Sequence, residues 1–290
     1  MDEAIRYRIF REGSRTYFYS SLFFPPDIRR DVFKLYAFVR TADDLVDCIP
    51  QKEDEFHRFC ERWEQSSRGE IVGDPVIDGF SELARRKEFS EEWTRAFLSS
   101  MEKDLSKREY DTMEELDRYL YGSAEVIGLF MGRILGLPAH CFEEARLLGR
   151  AMQFVNFIRD ISEDIGLGRT YFPQRDLNTF GLTSLHYEGV SRNPEAFRAF
   201  MRFQIGRYFT WQRKAERGFS LIPYRYLIPI KTASDMYNWT ASVIEGDPFV
   251  VYRHKVKPKI SRIFLTLCKN VISIPVRRSS QMDRQVSYGV

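Results

Sequence analysis

Apolar residues recur along this chain at intervals of three and four, while alternating runs, Asn-Gly hairpin turns and glycine-rich phosphate loops are missing. The pattern is helical nearly throughout. Pro25-Pro26 marks a helix start, so "PPDIRRDVFKLYAFVRTADDLVD" reads as one long helix running to about Cys48 and ended by Pro50. Residues 66–79, "SSRGEIVGDPVIDG", read as the clearest loop. Helical spacing resumes over 80–88, 90–106, 113–135 and 140–165, is broken by "GLGRTYFP", and returns over 194–220, 231–245 and 256–272. With no solenoid-period repeat and no low-complexity segment, the expected fold is all-α. A single domain over 1–290 is predicted, a helical bundle, with an irregular tail from about 275 to 290.

Polar residues break the pattern in two places. In "QFVNFIRDISEDIG" (153–166), Asn156, Asp160 and Asp164 stand four apart and therefore share one stripe of the helix. Phe154, Val155, Phe157, Ile158 and Ile161 cover its other faces, and a helix apolar on most sides is normally buried. Either the stripe faces water, where like charges four apart cost only ~0.2–0.5 kcal/mol, or it is buried and needs partners. Asp43 and Asp47 form a second such pair, on a face shared with Val32, Tyr36, Val39 and Arg40. If the two helices face each other across a bundle, four carboxylates and an amide converge. At ~6 Å and an effective dielectric near 20, each like-charge pair costs roughly 3 kcal/mol, so cations are required.

Oxygen ligands without His or Cys select a hard ion such as Mg²⁺, which binds one or two carboxylates and shares its other positions with water and substrate phosphate. A phosphorylated ligand is therefore predicted. Arg40, one turn before Asp43, Arg159, beside Asp160, and Arg169 supply counter-charge suited to bidentate phosphate contacts. Ala124, Gly128, Gly132 and Gly136 form a further stripe at spacing four. Close helix packing is one reading. The other is room for a long apolar substrate, bounded by Phe130 and by Tyr17, Phe18, Phe23 and Phe24.

Composition narrows the alternatives. Aromatics make up 15% of the 290 residues, with 24 Phe and 15 Tyr, which suits a thick aromatic core or a large apolar cavity. Cys48, Cys60, Cys141 and Cys268 are widely spaced without a CxxC pair, which argues against a zinc module or disulfide scaffold and for a reducing, cytoplasmic setting. His57, His140, His186 and His254 have no ligand-like spacing. Charged residues interrupt the start from Asp2 onward, so no secretory leader is read, and no apolar run reaches the ~20 residues that span a bilayer. The net charge of +3 is uneven, since the segment from 251 onward carries nine Lys/Arg against Asp283 alone. There Ile260, Ile263, Phe264, Leu267 and Val271 recur beside Lys259, Arg262 and Lys269. That pattern is either a terminal helix packed on the core or a basic amphipathic helix making peripheral membrane contact. No nucleic-acid-binding motif accompanies the charge, and no nucleic-acid partner is expected.

At these residues the chain resembles the squalene/phytoene synthase family, whose members join two prenyl diphosphates head to head. "SRTYFYSSLFFP" (14–25) is similar to the family's N-terminal segment, "YAFVRTADDLVD" (36–47) to its first aspartate motif, "YLYGSAEVIGLFMGRILG" (119–136) to its central helix and "QFVNFIRDISEDIGLGRTYFP" (153–173) to its second aspartate motif. The resemblance covers nearly the whole chain and implies the helical isoprenoid-synthase fold with a central cavity. It implies that Asp43, Asp47, Asn156, Asp160 and Asp164 hold two or three Mg²⁺ ions. It further implies that Ser14, Thr16, Tyr36, Arg40, Gln153, Arg159 and Arg169 meet diphosphate or the reacting centre, with Tyr171 nearby. Tyr237 in "SDMYNWTASVI" and Asp104 in "MEKDL" are carried over from segments that match less closely. The chain departs from the family pattern at Thr16, usually Ser, at Tyr17, usually Phe, and at Glu125, commonly Gly. Glu125 either narrows the channel or turns away from it.

The implied reaction condenses two geranylgeranyl or farnesyl diphosphates through a cyclopropylcarbinyl diphosphate to a phytoene-type hydrocarbon. NADPH would divert the product to squalene; without a nucleotide-binding fingerprint it is not favoured as a cofactor. The alternatives are a squalene or presqualene-diphosphate synthase, a terpene cyclase consuming one prenyl diphosphate, and a non-catalytic member. The last would be expected to have lost acidic ligands that are all present here.

Overall fold

The computed structural model describes residues 2–287, with side-chain surroundings for 3–274. Among the described residues the architecture is helical, and a lone parallel bridge between Glu109 and Thr170 is the only extended pairing. Two short helices that the apolar spacing did not reveal open it, α1 (Asp2–Gly13) and α2 (Arg15–Ser21). α3 (Pro26–Asp47) follows as predicted, with proline pre-set for the first turn. It buries Ile28, Val32, Leu35, Phe38, Ala42 and Val46 along one face, and Phe38 stacks on Phe80 at 3.9 Å between ring centres.

α4 (Glu53–Ser67) and α5 (Pro75–Arg86) shorten the predicted 66–79 loop to residues 68–74. "DPVIDG" carries turn-forming residues but is a capped helix start. Asp74 accepts from the N–H groups of Val76 and Ile77 at 2.9 and 3.3 Å, and Asp78 accepts from Val72, Gly73 and Asp74 at 3.0, 2.9 and 3.1 Å. α6 (Glu91–Ser106) matches its prediction. The predicted 113–135 helix is α7 (Met113–Leu120) and α8 (Val126–Ile134), joined through a π-helical turn at Tyr121–Glu125. α9 (Phe142–Arg159) and α10 (Ile161–Gly166) cover the second acidic segment, followed by α11 (Gln174–Thr179), α12 (Tyr187–Arg192) and α13 (Pro194–Glu216).

α14 (Tyr224–Gly246) begins a turn and more before the predicted 231 and accommodates Pro229 inside the helix. After α15 (Val250–Arg253), α16 (Ile260–Ser287) runs through the region expected to be an irregular tail. Pro275 removes one backbone donor there, but the Arg-, Gln- and Met-containing sequence beyond it favours helix. Residues 288–290 of that predicted tail lie outside the described residues.

α13 lies along α9, α14 packs on α2 and α9, and α16 packs on α14 and α2. One apolar cluster gathers Phe154, Phe157, Phe197, Phe200 and Tyr208, and a second gathers Phe10, Phe38, Phe80, Phe97 and Phe130. Tyr17 touches both. Between the clusters lies a cavity of about 280 Å³, walled by members of each, such as Val32 and Leu35 on one side and Met152 and Ala233 on the other.

Candidate active site

One edge of α3 presents Tyr36, Arg40, Asp43 and Asp47. α9 presents Gln153, Asn156 and Arg159, and Asp164 follows on α10. The backbone leaves helical geometry at Asp160 (φ −100°, ψ 14°), between α9 and α10. The four-residue hydrogen bonds nevertheless continue, from Asp160 N–H to Asn156 C=O at 2.8 Å and from Asp164 N–H to Asp160 C=O at 2.8 Å. The stripe therefore survives the break between the helices.

The two acidic edges look inward at each other. Arg169, just after α10 and only 3% exposed, reaches across to α3, donating to Asp47 Oδ1 at 2.5 Å and to the Val46 carbonyl at 2.6 Å. Burial, and after it the charges of Asp160 and Asp47, holds the Asp164 carboxyl well above the usual range. Burial and then Asp47 push Asp43 up to about 7. Carboxylates of one helix thus act on those of the other.

Their counter-charges are nearby. Arg40 donates to Asp43 at 2.8 Å and also pairs with Asp44, while Arg159 grips Asp160 at 2.7 and 2.5 Å. Lys255 adds a third cation to this set, 3.1 Å from Asp160 and paired with Glu163. Among the described residues no three Asp, Glu, His or Cys side chains are close enough to enclose one ion. The donor set is nonetheless suited to hard cations that take one or two carboxylates each and leave the rest to water and phosphate. All its atoms are oxygens, burial and like charge hold the Asp43 and Asp164 carboxyls above the usual range, and the Asn156 Oδ1 is buried without a partner.

A tyrosine hub stands behind Arg169. Asp104 on α6 is 3% exposed and accepts from the hydroxyls of Tyr119 at 2.6 Å and Tyr171 at 3.0 Å. Burial pushes its carboxyl up to about 6, against the lowering pull of Arg169 and Tyr119. Tyr171 stacks on Phe157 at 4.2 Å, and burial raises its phenol pKa, so it stays protonated and donating. Tyr237 on α14 lies against Tyr17, ring centres 5.6 Å apart, and burial raises its phenol pKa. Tyr36 stacks on Phe10 at 3.8 Å. Ser14 caps α2, accepting from the Tyr17 N–H at 3.3 Å, and Thr16 lies in that helix's first turn. Among the described residues no hydrogen bond joins the side chain of Ser14 or Thr16 to the acidic edges.

Tyr17, Tyr36, Gln153 and Asn156 line the cavity where it meets the acidic edges; Leu135, Leu137, Phe219 and Ile222 line apolar wall. Ala124, Gly128 and Gly132 also face it, so the small-residue stripe does make room. It serves packing too, since a Cβ on Gly128 would lie 2.1 Å from the Ala145 carbonyl oxygen. Gly136 does not continue the stripe; its φ of +66° places it at the left-handed end of α8. Of the aromatics expected around the channel, Tyr17 and Phe24 line it, Phe18 and Phe130 are in the core, and Phe23 is exposed. Glu125 turns away. It is 1% exposed and accepts from Arg146 at 2.8 Å and Arg150 at 2.5 Å on the far side of its helix.

Three participants escaped the sequence reading. For Lys255 the signal was the cation excess after residue 251. For Tyr119 there was none beyond its place in the central helix. Gly13 ends α1 so close to the site that a Cβ would meet the Tyr36 hydroxyl at 2.4 Å and Arg40 Cδ at 3.2 Å.

The squalene/phytoene synthase family model matches residues 10–263. The chain belongs to the squalene/phytoene synthase family. Membership makes it a prenyl-transferring enzyme. A 15-cis-phytoene synthase of Synechocystis sp. is 29% identical over 280 residues, covering 91% of this chain and 80% of the relative. The fold is shared with a dehydrosqualene synthase solved with a ligand (TM-score 0.84, 21% identity, 95% of this chain and 97% of that one). It is shared also with the squalene synthase HpnC from Alicyclobacillus acidocaldarius (TM-score 0.76, 24% identity, 86% and 94%). Within this family fold, both acidic edges lie beside an apolar cavity.

Proposed function

We propose that this enzyme condenses two prenyl diphosphates head to head to a phytoene-type hydrocarbon. The observation that carries the reading is the pair of acidic edges facing inward beside an apolar cavity of about 280 Å³. Asp43, Asp47, Asn156, Asp160 and Asp164 would hold Mg²⁺, which supplies charge stabilisation for a departing diphosphate. The cations Arg40, Arg159, Arg169 and Lys255 surround the same place and suit diphosphate oxygens.

One allylic diphosphate ionises there, and the double bond of the second molecule attacks the cation. Loss of a proton leaves the cyclopropylcarbinyl diphosphate. A second ionisation, rearrangement and deprotonation give the hydrocarbon. The rings of Tyr17 and Tyr36 border the reacting end and can stabilise positive charge. The apolar wall excludes water that would quench the cations to alcohols. Tyr171, held by Asp104, orients Arg169 rather than serving as a phenolate, because burial raises its pKa.

The test is to incubate purified protein with Mg²⁺ and farnesyl or geranylgeranyl diphosphate, with and without NADPH, and identify the hydrocarbon. A product made of two chains, formed without NADPH, is expected, and the better substrate sets the chain length. A reduced product formed only with NADPH would make it a squalene synthase. A cyclic product from one chain would overturn the reading.

A further inference from the structure

α16 carries two faces. Ile263, Leu267, Asn270 and Ile274 are buried against the bundle. Beside them runs an outward apolar band containing Phe264, Leu265 and Ile272, the last two 72% and 70% exposed, with Ile260 and Val271 at its inner margin. At 100° per residue this band spans roughly 140° of the helix, and Arg262 and Lys269 fall side by side along its outer edge. Phe23, in the turn between α2 and α3, extends the band across the surface, its ring edge-on to Phe264 at 6.1 Å. Arg29, donating to the Leu22 carbonyl at 3.3 Å, sets a cation on that side as well. The patch is therefore apolar in the middle, with Arg262 and Lys269 along its outer edge and Arg29 near Phe23. No helix among the described residues is long and apolar enough to cross a membrane.

We propose that this face docks the enzyme on the surface of an anionic lipid bilayer, with α16 lying in the interface plane. Apolar groups enter the acyl boundary, and the flanking cations meet the headgroups. A second copy of the chain fits less well, because a twofold contact would bring the same cations together. Docking here also sets α2 toward the lipid, and α2 with its following turn supplies Ser20, Ser21 and Phe24 to the cavity wall. A hydrocarbon product would then leave on the membrane side. That last clause rests on the proposed reaction; the docking itself does not.

The test is flotation of the full chain with vesicles of phosphatidylcholine containing a quarter phosphatidylglycerol, and with phosphatidylcholine alone. Strong recovery with the anionic vesicles and weak recovery with the neutral ones is expected. Leu265→Ser/Ile272→Ser, at two exposed positions, should bind at least ~10-fold more weakly. Lys269→Gln should lose about 5-fold, the value of one cation at an anionic surface. Both variants should retain the wild-type melting temperature and turnover of detergent-dispersed substrate. Equal recovery of the double variant and wild type, or no anionic preference, overturns the proposal. A concentration-dependent dimer abolished by the double variant, without vesicle binding, assigns the face to self-association instead. Flotation uses no substrate, so an error in the assigned reaction leaves its outcome unchanged.

Discussion

Arg169→Gln probes the claim that two acidic edges share one buried space. The native guanidinium donates to Asp47, to the Val46 carbonyl and, at 3.4 Å, to the Tyr171 hydroxyl. Glutamine can replace at most one of these contacts and none of the charge. Removing one partner of a buried ion pair costs about 3–5 kcal/mol. Because the Asp47 side chain is 37% exposed and water recovers part of the loss, the lower end, about 3 kcal/mol, is expected. At ~2–4 °C per kcal/mol for a domain of this size, the melting temperature of metal-free protein should fall by roughly 6–12 °C.

The size of that fall should depend on pH. Asp104 is held up to about 6, above its ordinary 3.8, so the fold binds a proton there that the unfolded chain releases. Its contribution favours the fold at low pH and is lost as pH rises through about 6. Arg169 is what restrains that rise, and its charge lowers Asp164 as well. Without it both carboxyls move higher, and the gap between variant and wild type should widen from pH 5 to pH 8. Calorimetry or circular dichroism at the two pH values measures it. A variant melting within ~2 °C of wild type at pH 8 would mean that the edges do not depend on this cation.

Asp160→Asn keeps the shape but not the charge that meets Arg159 and Lys255, and should cut turnover by at least ~100-fold while the helical spectrum is retained. Near-normal steady-state rates would remove Asp160 from the ion-binding set. Glu125→Gln leaves Arg146 and Arg150 with Glu143 and Asp117 as their remaining partners and should cost about 2 kcal/mol, read by thermal melting. Because Glu125 lies outside the cavity wall, the preference between 15- and 20-carbon donors should not change; a shifted preference in paired-substrate assays would refute its placement.

The features legible in the sequence are those encoded within one helix. A four-residue step fixes direction whatever the rest of the chain does, so Asp43 with Asp47, and Asn156 with Asp160 and Asp164, could be placed on shared stripes from spacing alone. The apolar residues around the second stripe also signalled that it was buried. The errors at element ends arose where one local signal outweighed its surroundings. α14 and α16 extend past the predicted 231 and 272, with Pro229 and Pro275 inside them, and "GDPVIDG" read as a loop although Asp74 and Asp78 turn it into a capped helix start. α1 and α2 are polar enough that their spacing carries little signal.

What stayed hidden was partnership at a distance, and Glu125 shows why. Its own segment, small and apolar at every fourth position, makes a carboxylate look like an obstruction in the channel. Its environment is set from elsewhere. The π turn at Tyr121–Glu125 shifts the helix register, and Arg146 and Arg150, four apart on α9, meet the carboxylate 21 and 25 residues along the chain. Asp104 is the same case over 67 residues to Tyr171, as is Arg169 over 122 residues to Asp47. Each of these side chains carries a charge that its local sequence leaves unpaired. A charge buried in a helix needs a partner, and Glu125 finds its own in two arginines four apart on another helix. Burial and neighbouring carboxylates hold Asp43, despite Arg40, and Asp164 above the usual carboxylate range in the folded protein, and both belong to the set proposed to hold Mg²⁺.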